Sequence, residues 1–136
     1  MFVFGKALEL AAYIIQDNFV EKNITQVSEK LNDEDVEKIY MANQILVDKM
    51  QKPPTLSQLA LSVGSNTKKL TFGFRRLFNN SVFGQLQTIR LEKAYKLLNE
   101  GSIDVSTVAY QIGYSPAHLT VAFKKQYGFL PKDMKN

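Results

Sequence analysis

At 136 residues, 45% hydrophobic and 22% charged, the chain is long enough for one ordinary folded domain. It is too short for two of full size and unlike a charge-dominated disordered segment. The absence of cysteine excludes disulfides, thiolate metal sites and thiol redox chemistry. The longest apolar runs fall well short of the roughly 18 residues of a membrane span and no signal-peptide pattern opens the chain, so a cytoplasmic protein with no membrane partner is expected.

The net charge of +4 is unevenly distributed. Through Pro54 there are six lysines against nine acids, and from Thr55 onward eleven basic residues against four acids. An acidic preface of −3 therefore precedes a basic stretch of +7, an asymmetry that suits a chain of which one part meets a polyanion.

Residues 4–16 place Phe4, Ala7, Leu8, Ala11, Ile14 and Ile15 at helical spacing and predict a first helix. Asn32 can cap a second, whose first turn carries Asp33, Glu34 and Asp35 beside the positive end of the helix dipole. Its inner face is expected to hold Val36, Ile39, Tyr40, Asn43, Leu46 and Met50. Pro53 and Pro54 then break the helix, because proline lacks an amide donor and forces the preceding residue out of helical geometry. The break divides an N-terminal helical segment and linker, 1–54, from a domain at 55–136. No β-alternation of any length appears, and the class is all-α.

From Thr55 the sequence repeats itself at an offset of 49 residues. Leu59 and Ala60 match Val108 and Ala109, Val63 and Gly64 match Ile112 and Gly113, and Leu70, Thr71 and Phe74 match Leu119, Thr120 and Phe123. Arg75 and Arg76 match Lys124 and Lys125, and Phe78 matches Tyr127. A repeat of this kind marks a repeated supersecondary unit.

Each copy, at about 55–78 and 104–127, follows the pattern of a helix-turn-helix. Thr55 with Gln58 forms a capping box and Asp104 can cap the matching helix. Ala60 and Ala109 are small where two helices cross. Gly64 and Gly113 fall where a left-handed turn residue is needed. Asn66 and Ser115 cap the next helix, with Pro116 at its first position.

In the second helix of each unit, Leu70, Phe74 and Leu77, and likewise Leu119, Phe123 and Tyr127, lie on the side expected to face the core. The opposite side carries Lys68, Thr71, Phe72 and Arg75, with Arg76 at its edge, and in the second copy Ala117, Thr120, Val121, Lys124 and Lys125. A helix fits the major groove, its N-terminal part reading base edges while basic side chains hold phosphates. Phe72 and Val121 can meet thymine methyl groups or be buried by a neighbouring helix.

Between the units, residues 81–99 predict one continuous helix with Phe83, Leu86, Ile89, Leu91, Ala94, Leu97 and Leu98 among its apolar positions. At roughly 27 Å, such a helix can set two reading heads about one DNA turn apart. Arg90, Lys93 and Lys96 recur along it as either a solvated face or a stripe tracking the DNA backbone.

The run from Thr55 to Pro131, with Leu59, Ala60, Gly64, Leu70, Phe74, Arg90, Leu91, Ala94, Leu97, Leu98, Val108, Ala109, Ile112, Gly113, Tyr114, Phe123, Lys124 and Gly128, resembles the DNA-binding domain of the AraC/XylS family. The resemblance implies a transcription regulator that places two recognition helices in successive major grooves of double-stranded DNA, bends the duplex and contacts RNA polymerase. It puts base readout on Lys68, Thr71 and Phe72 and on Ala117, Thr120 and Val121, with Arg75 and Lys124 nearer phosphates. Gly113-Tyr114-Ser115-Pro116-Ala117 is one residue shorter than the family's usual spacing, which bears on the second copy's contacts. The segments Gly73-Phe74-Arg75 and Val82-Phe83-Gly84 are similar to a branch that contains regulators of siderophore uptake.

Family members usually carry a sensory domain that 54 residues cannot hold. A piece of a longer regulator, forming a homodimer through its N-terminal part, is therefore expected, with a stand-alone small regulator as the alternative. Neither an enzyme nor a cofactor is called for: the single histidine, His118, has no carboxylate pair, phosphate-binding loop or metal-ligand spacing beside it, and a DNA or packing contact is its expected role. The rival reading is a protein-interaction adaptor that docks through the acidic N-terminal helices.

Overall fold

A computed structural model describes residues 31–134, and all regular structure among them is helical. Six helices follow in order: α1 (Asp33–Asp48), α2 (Leu56–Ser62), α3 (Thr67–Phe78), α4 (Val82–Glu100), α5 (Val105–Ile112) and α6 (Pro116–Tyr127), then a 3₁₀ turn at Pro131–Asp133. The helix expected at 4–16 lies outside the described residues.

Short polar side chains set where the helices begin. Thr55 Oγ1 accepts from the Gln58 amide at 3.1 Å while Gln58 Oε1 accepts from the Thr55 amide at 2.9 Å, closing the capping box of α2. Asn66, Ser81, Asp104 and Ser115 each accept from the backbone amide three residues on, at 2.8, 2.9, 2.7 and 3.1 Å, and open α3, α4, α5 and α6. The first helix of each unit is followed by a left-handed glycine, Gly64 at φ 73° and Gly113 at φ 89°. The repeat extends even to the ends of α3 and α6, where Asn79 and Gly128, also 49 residues apart, adopt left-handed conformations.

The buried faces are those the periodicity marks. Leu59, Leu70 and Phe74 form the interior of the first unit, Val108, Ile112, Leu119 and Phe123 that of the second, and Leu86, Ile89, Leu91, Ala94 and Leu98 of α4 join them into one core. Ala60 and Ala109 are buried as expected of small residues at helix crossings. Beside α4, Tyr95, Phe123, Tyr127 and Phe129 make an aromatic cluster, and the Tyr127 hydroxyl donates to the Leu91 carbonyl at 3.3 Å.

Two apolar residues sit differently from the sequence expectation. Tyr40 is 52% exposed, touching Phe78 edge-on, because the inner stripe of α1 runs through Asp35, Ile39, Ala42 and Leu46. Phe83 is 66% exposed because the stripe of α4 starts at Val82 and continues through Leu86 and Ile89. Steps of three and four residues define each stripe, and both aromatics fall one position outside it.

α1 packs against α2, α3 and α4, and the residues from Asp33 onward form one compact unit. The break at Pro53 and Pro54 thus lies inside that unit, and the second helix of the acidic preface is built into the basic domain. Asp35 of α1 is buried with its carboxylate 3.4 Å from Lys69 of α3. Lys38 donates to the Gly64 carbonyl at 2.9 Å across the turn of the first unit. Ile39 lies so close to Gly73 that a Cβ on that glycine would overlap Ile39 Cδ1 and Cγ1.

Candidate nucleic-acid interface

Helices α3 and α6 each turn one face fully inward. Leu70 and Phe74 on α3, and Leu119 and Phe123 on α6, have 0% exposure. Since the two helices have the same length and the same register, the residues left outside correspond pairwise.

On α3, Lys68, Thr71, Arg75 and Arg76 are exposed and Phe72 is half-buried. On α6, Ala117, His118, Val121, Lys124 and Lys125 are exposed and Thr120 is half-buried. Both faces therefore have small or polar groups near the helix start and two cations in the last turn, where the helix dipole favours positive charge. Val121 is 68% exposed, an apolar group left outside in the middle of that face, whereas Phe72 is partly covered by its own fold. The Thr120 hydroxyl donates to the Pro116 carbonyl at 2.9 Å, which uses its proton within the helix and leaves its oxygen as an acceptor.

His118 is exposed at the start of α6. Its ring stacks on Tyr114, with centroids 3.9 Å apart and planes 24° from parallel. Tyr114 is itself buried, so the histidine ring is held against the turn that precedes α6.

Arg90 belongs to neither of the roles considered for the basic residues of α4. It is half-buried, and its Nε and Nη2 donate to the Met50 carbonyl at 3.0 and 2.7 Å. Its guanidinium lies 5.0 Å from the centre of the Tyr114 ring. Lys93 and Lys96 are exposed on the same helix.

These arrangements were not legible in the sequence, which gives Arg90 a periodicity but no partner 40 residues away. The Asp35–Lys69 pair, 34 residues apart, and the Gly73–Ile39 approach carry no local signature either. Gly73 does offer one hint, as a glycine in the interior of a helix that would otherwise favour alanine.

Three groups on the scaffold titrate away from their ordinary values. The Asp104 carboxyl is held low by its hydrogen bonds to Thr107, as befits an N-cap. Burial pushes Glu92 up, and burial with the neighbouring charges of Glu92 and Tyr95 pushes Tyr127 up. Neither the outward face of α3 nor that of α6 holds an acidic residue, so both present cations to an approaching polyanion.

A family model described as a helix-turn-helix domain matches residues 59–136. The regulatory protein PchR of Pseudomonas aeruginosa is 46% identical over 106 residues, which are 77% of this chain and 35% of that protein. The chain thus spans about a third of the length of this curated relative. Among solved structures, a transcriptional regulator with an AraC-type DNA-binding domain from Chromobacterium violaceum aligns with a TM-score of 0.67 at 18% identity, over 72% of this chain and 88% of that one. The DNA-binding domain of AdpA, a global transcriptional factor solved in complex with a target DNA, aligns with a TM-score of 0.63 at 23% identity, over 69% and 86%. At these identities the likeness is one of fold.

Proposed function

As this chain belongs to the AraC-type helix-turn-helix family, a family of DNA-binding transcriptional regulators and not of enzymes, we propose that it reads double-stranded DNA with α3 and α6 in two successive major grooves. The observation that carries this reading is the matched outward faces of α3 and α6, set at a 49-residue offset before and after one linker helix. With 19 residues, α4 is about 28 Å long, which with side-chain reach spans one turn of DNA, roughly 34 Å.

Within each face the roles divide by position. Lys68, Thr71 and Phe72 on α3, and Ala117, Thr120 and Val121 on α6, are the base-reading residues. The exposure of Val121 suits an apolar contact with a thymine methyl group, and partial burial gives Phe72 a smaller share in such a contact. Arg75, Arg76, Lys124 and Lys125 hold phosphates and fix register, and His118 lies at the edge of the second contact. RNA polymerase at the promoter, and a second copy joined through the N-terminal part, are the further partners of the whole regulator.

An adaptor role for α1 has less support, because Asp35 is buried against Lys69 and Lys38 is tied to the Gly64 carbonyl. Among the described residues no helix is long and apolar enough to cross a membrane. Sequence selection from random duplex DNA, followed by binding measurements at several salt concentrations, tests the proposal. It predicts an enriched motif and an affinity that falls steeply as salt rises, since several phosphates would shed counterions. A flat salt response without an enriched motif contradicts it.

A further inference from the structure

The segment after α1, Arg90 of the linker helix and the turn of the second unit meet at one point. Met50 is buried, and its carbonyl takes both donors of the Arg90 fork. The neighbouring Gln51 donates through Nε2 to the Tyr110 carbonyl at 2.9 Å, at the end of α5. Gly113, in that same turn, approaches so closely that a Cβ there would stand 2.7 Å from the Gln51 carbonyl oxygen, 2.9 Å from the Met50 carbonyl oxygen and 3.0 Å from Arg90 Nη2. Tyr114, the next residue, lies under the Arg90 guanidinium and carries the His118 ring of α6.

The other end of α1 is tied to the first unit, through Asp35 to Lys69 on α3 and through Lys38 to the Gly64 carbonyl. One helix is thus anchored to the first reading unit at its start, and the segment leaving it is anchored to the second. This clasp is a second connection between the two units, besides α4.

We propose that Arg90, gripping the Met50 carbonyl and the Tyr114 ring, is a positioning residue that fixes the second reading head relative to the first and so sets the spacing between the two DNA sub-sites that the protein accepts. The inference rests on the two-groove reading given above. Arg90 touches no base in this scheme and acts through Tyr114 and the α5–α6 turn. A planar guanidinium suits the position because it can converge two donors on one carbonyl oxygen and still lie against an aromatic ring, which a lysine ammonium cannot.

The test uses the duplex selected from random DNA, together with versions carrying one extra base pair between its two halves. One base pair turns the second groove by about 35° and moves it about 3.4 Å. The native protein is expected to lose roughly ten- to a hundredfold in affinity for the inserted duplex, the worth of one base-reading contact. Arg90→Ala and Arg90→Lys are expected to shrink that penalty to about threefold or less while leaving the dependence of affinity on salt unchanged. Gln51→Ala, an exposed side chain, shifts it in the same direction and carries the test if the Arg90 variants fail to melt cooperatively.

A native protein indifferent to the insertion overturns the two-groove reading and the clasp together. A native protein that discriminates, with variants that discriminate equally, overturns the clasp alone. So does an Arg90→Ala variant whose salt slope falls by about one while Arg90→Lys restores it, since that pattern marks a phosphate contact.

Discussion

Gly73 lies in the middle of α3, on the side packed against α1, and replacing it with alanine sets two effects of opposite sign against each other. In an isolated helix alanine is favoured over glycine by about 1 kcal/mol. Here the new methyl would overlap Cδ1 and Cγ1 of Ile39, while Ile39 Cβ, at 3.7 Å, stays at ordinary contact distance. Ile39 is 1% exposed and β-branched, so it has no space to swing into and one strongly preferred rotamer. Nor can α1 retreat freely, being held by the Asp35–Lys69 pair and the Lys38 hydrogen bond. The overlap therefore falls near the upper end of the cost of overpacking, about 3 kcal/mol. Gly73→Ala should then destabilise the fold by about 2 kcal/mol, lowering the melting temperature by roughly 10 °C.

The decisive comparison is the same substitution in an Ile39→Ala background. Ile39→Ala alone should cost about 2–5 kcal/mol, but it removes both overlapping atoms. Gly73→Ala should then become stabilising by about 1 kcal/mol, so that the two changes couple by about 3 kcal/mol. Urea or thermal melts of the four proteins measure this. An additive cycle, or a stabilising Gly73→Ala in the native background, would refute the claim that this glycine exists to admit Ile39.

Lys68→Ala and Thr71→Ala should change which bases are tolerated, at on the order of 1–3 kcal/mol each, whereas Arg75→Ala should weaken all duplexes alike and lower the salt slope by about one; competition binding to cognate and scrambled duplexes separates the two outcomes. Unchanged preference and affinity in well-folded Lys68 and Thr71 variants would mean that α3 presents another face. Because the folded state holds the Asp104 carboxyl below its ordinary value, its contribution to stability is present above about pH 4 and is lost as pH falls through the depressed value. Asp104→Asn should accordingly melt below the native protein at pH 7 and approach it under acid conditions, and a gap of equal size at pH 7 and pH 3 would contradict that assignment.

Much of this fold could be read from the sequence because its signals are local. A cap acts within three residues, a turn glycine within one, and the inward stripes of α3 and α6 within a dozen. The duplicated unit reinforced each of them, since Gly64 and Gly113, or Asn66 and Ser115, support one another. What could not be read depends on which elements meet. The pattern of α1 marked Ile39 and Leu46 as inner residues, but not that Ile39 would meet Gly73 of α3, nor that Asp35 would be buried with a lysine partner. Arg90 looked like one of three evenly spaced surface cations, and only the approach of Met50 and Tyr114 distinguishes it from Lys93 and Lys96. Tyr40 and Phe83 show the limit of periodicity itself, because each lies one position outside its stripe, where an aromatic ring can stay exposed.

Hydroxyl-radical footprinting of this chain on its selected duplex tests the central claim most directly. Two protected patches on one side of the DNA, about one helical turn apart and produced by a single molecule, are the expected result. Protection confined to about 5 base pairs would mean that one helix reads and the other does not, and would contradict the account.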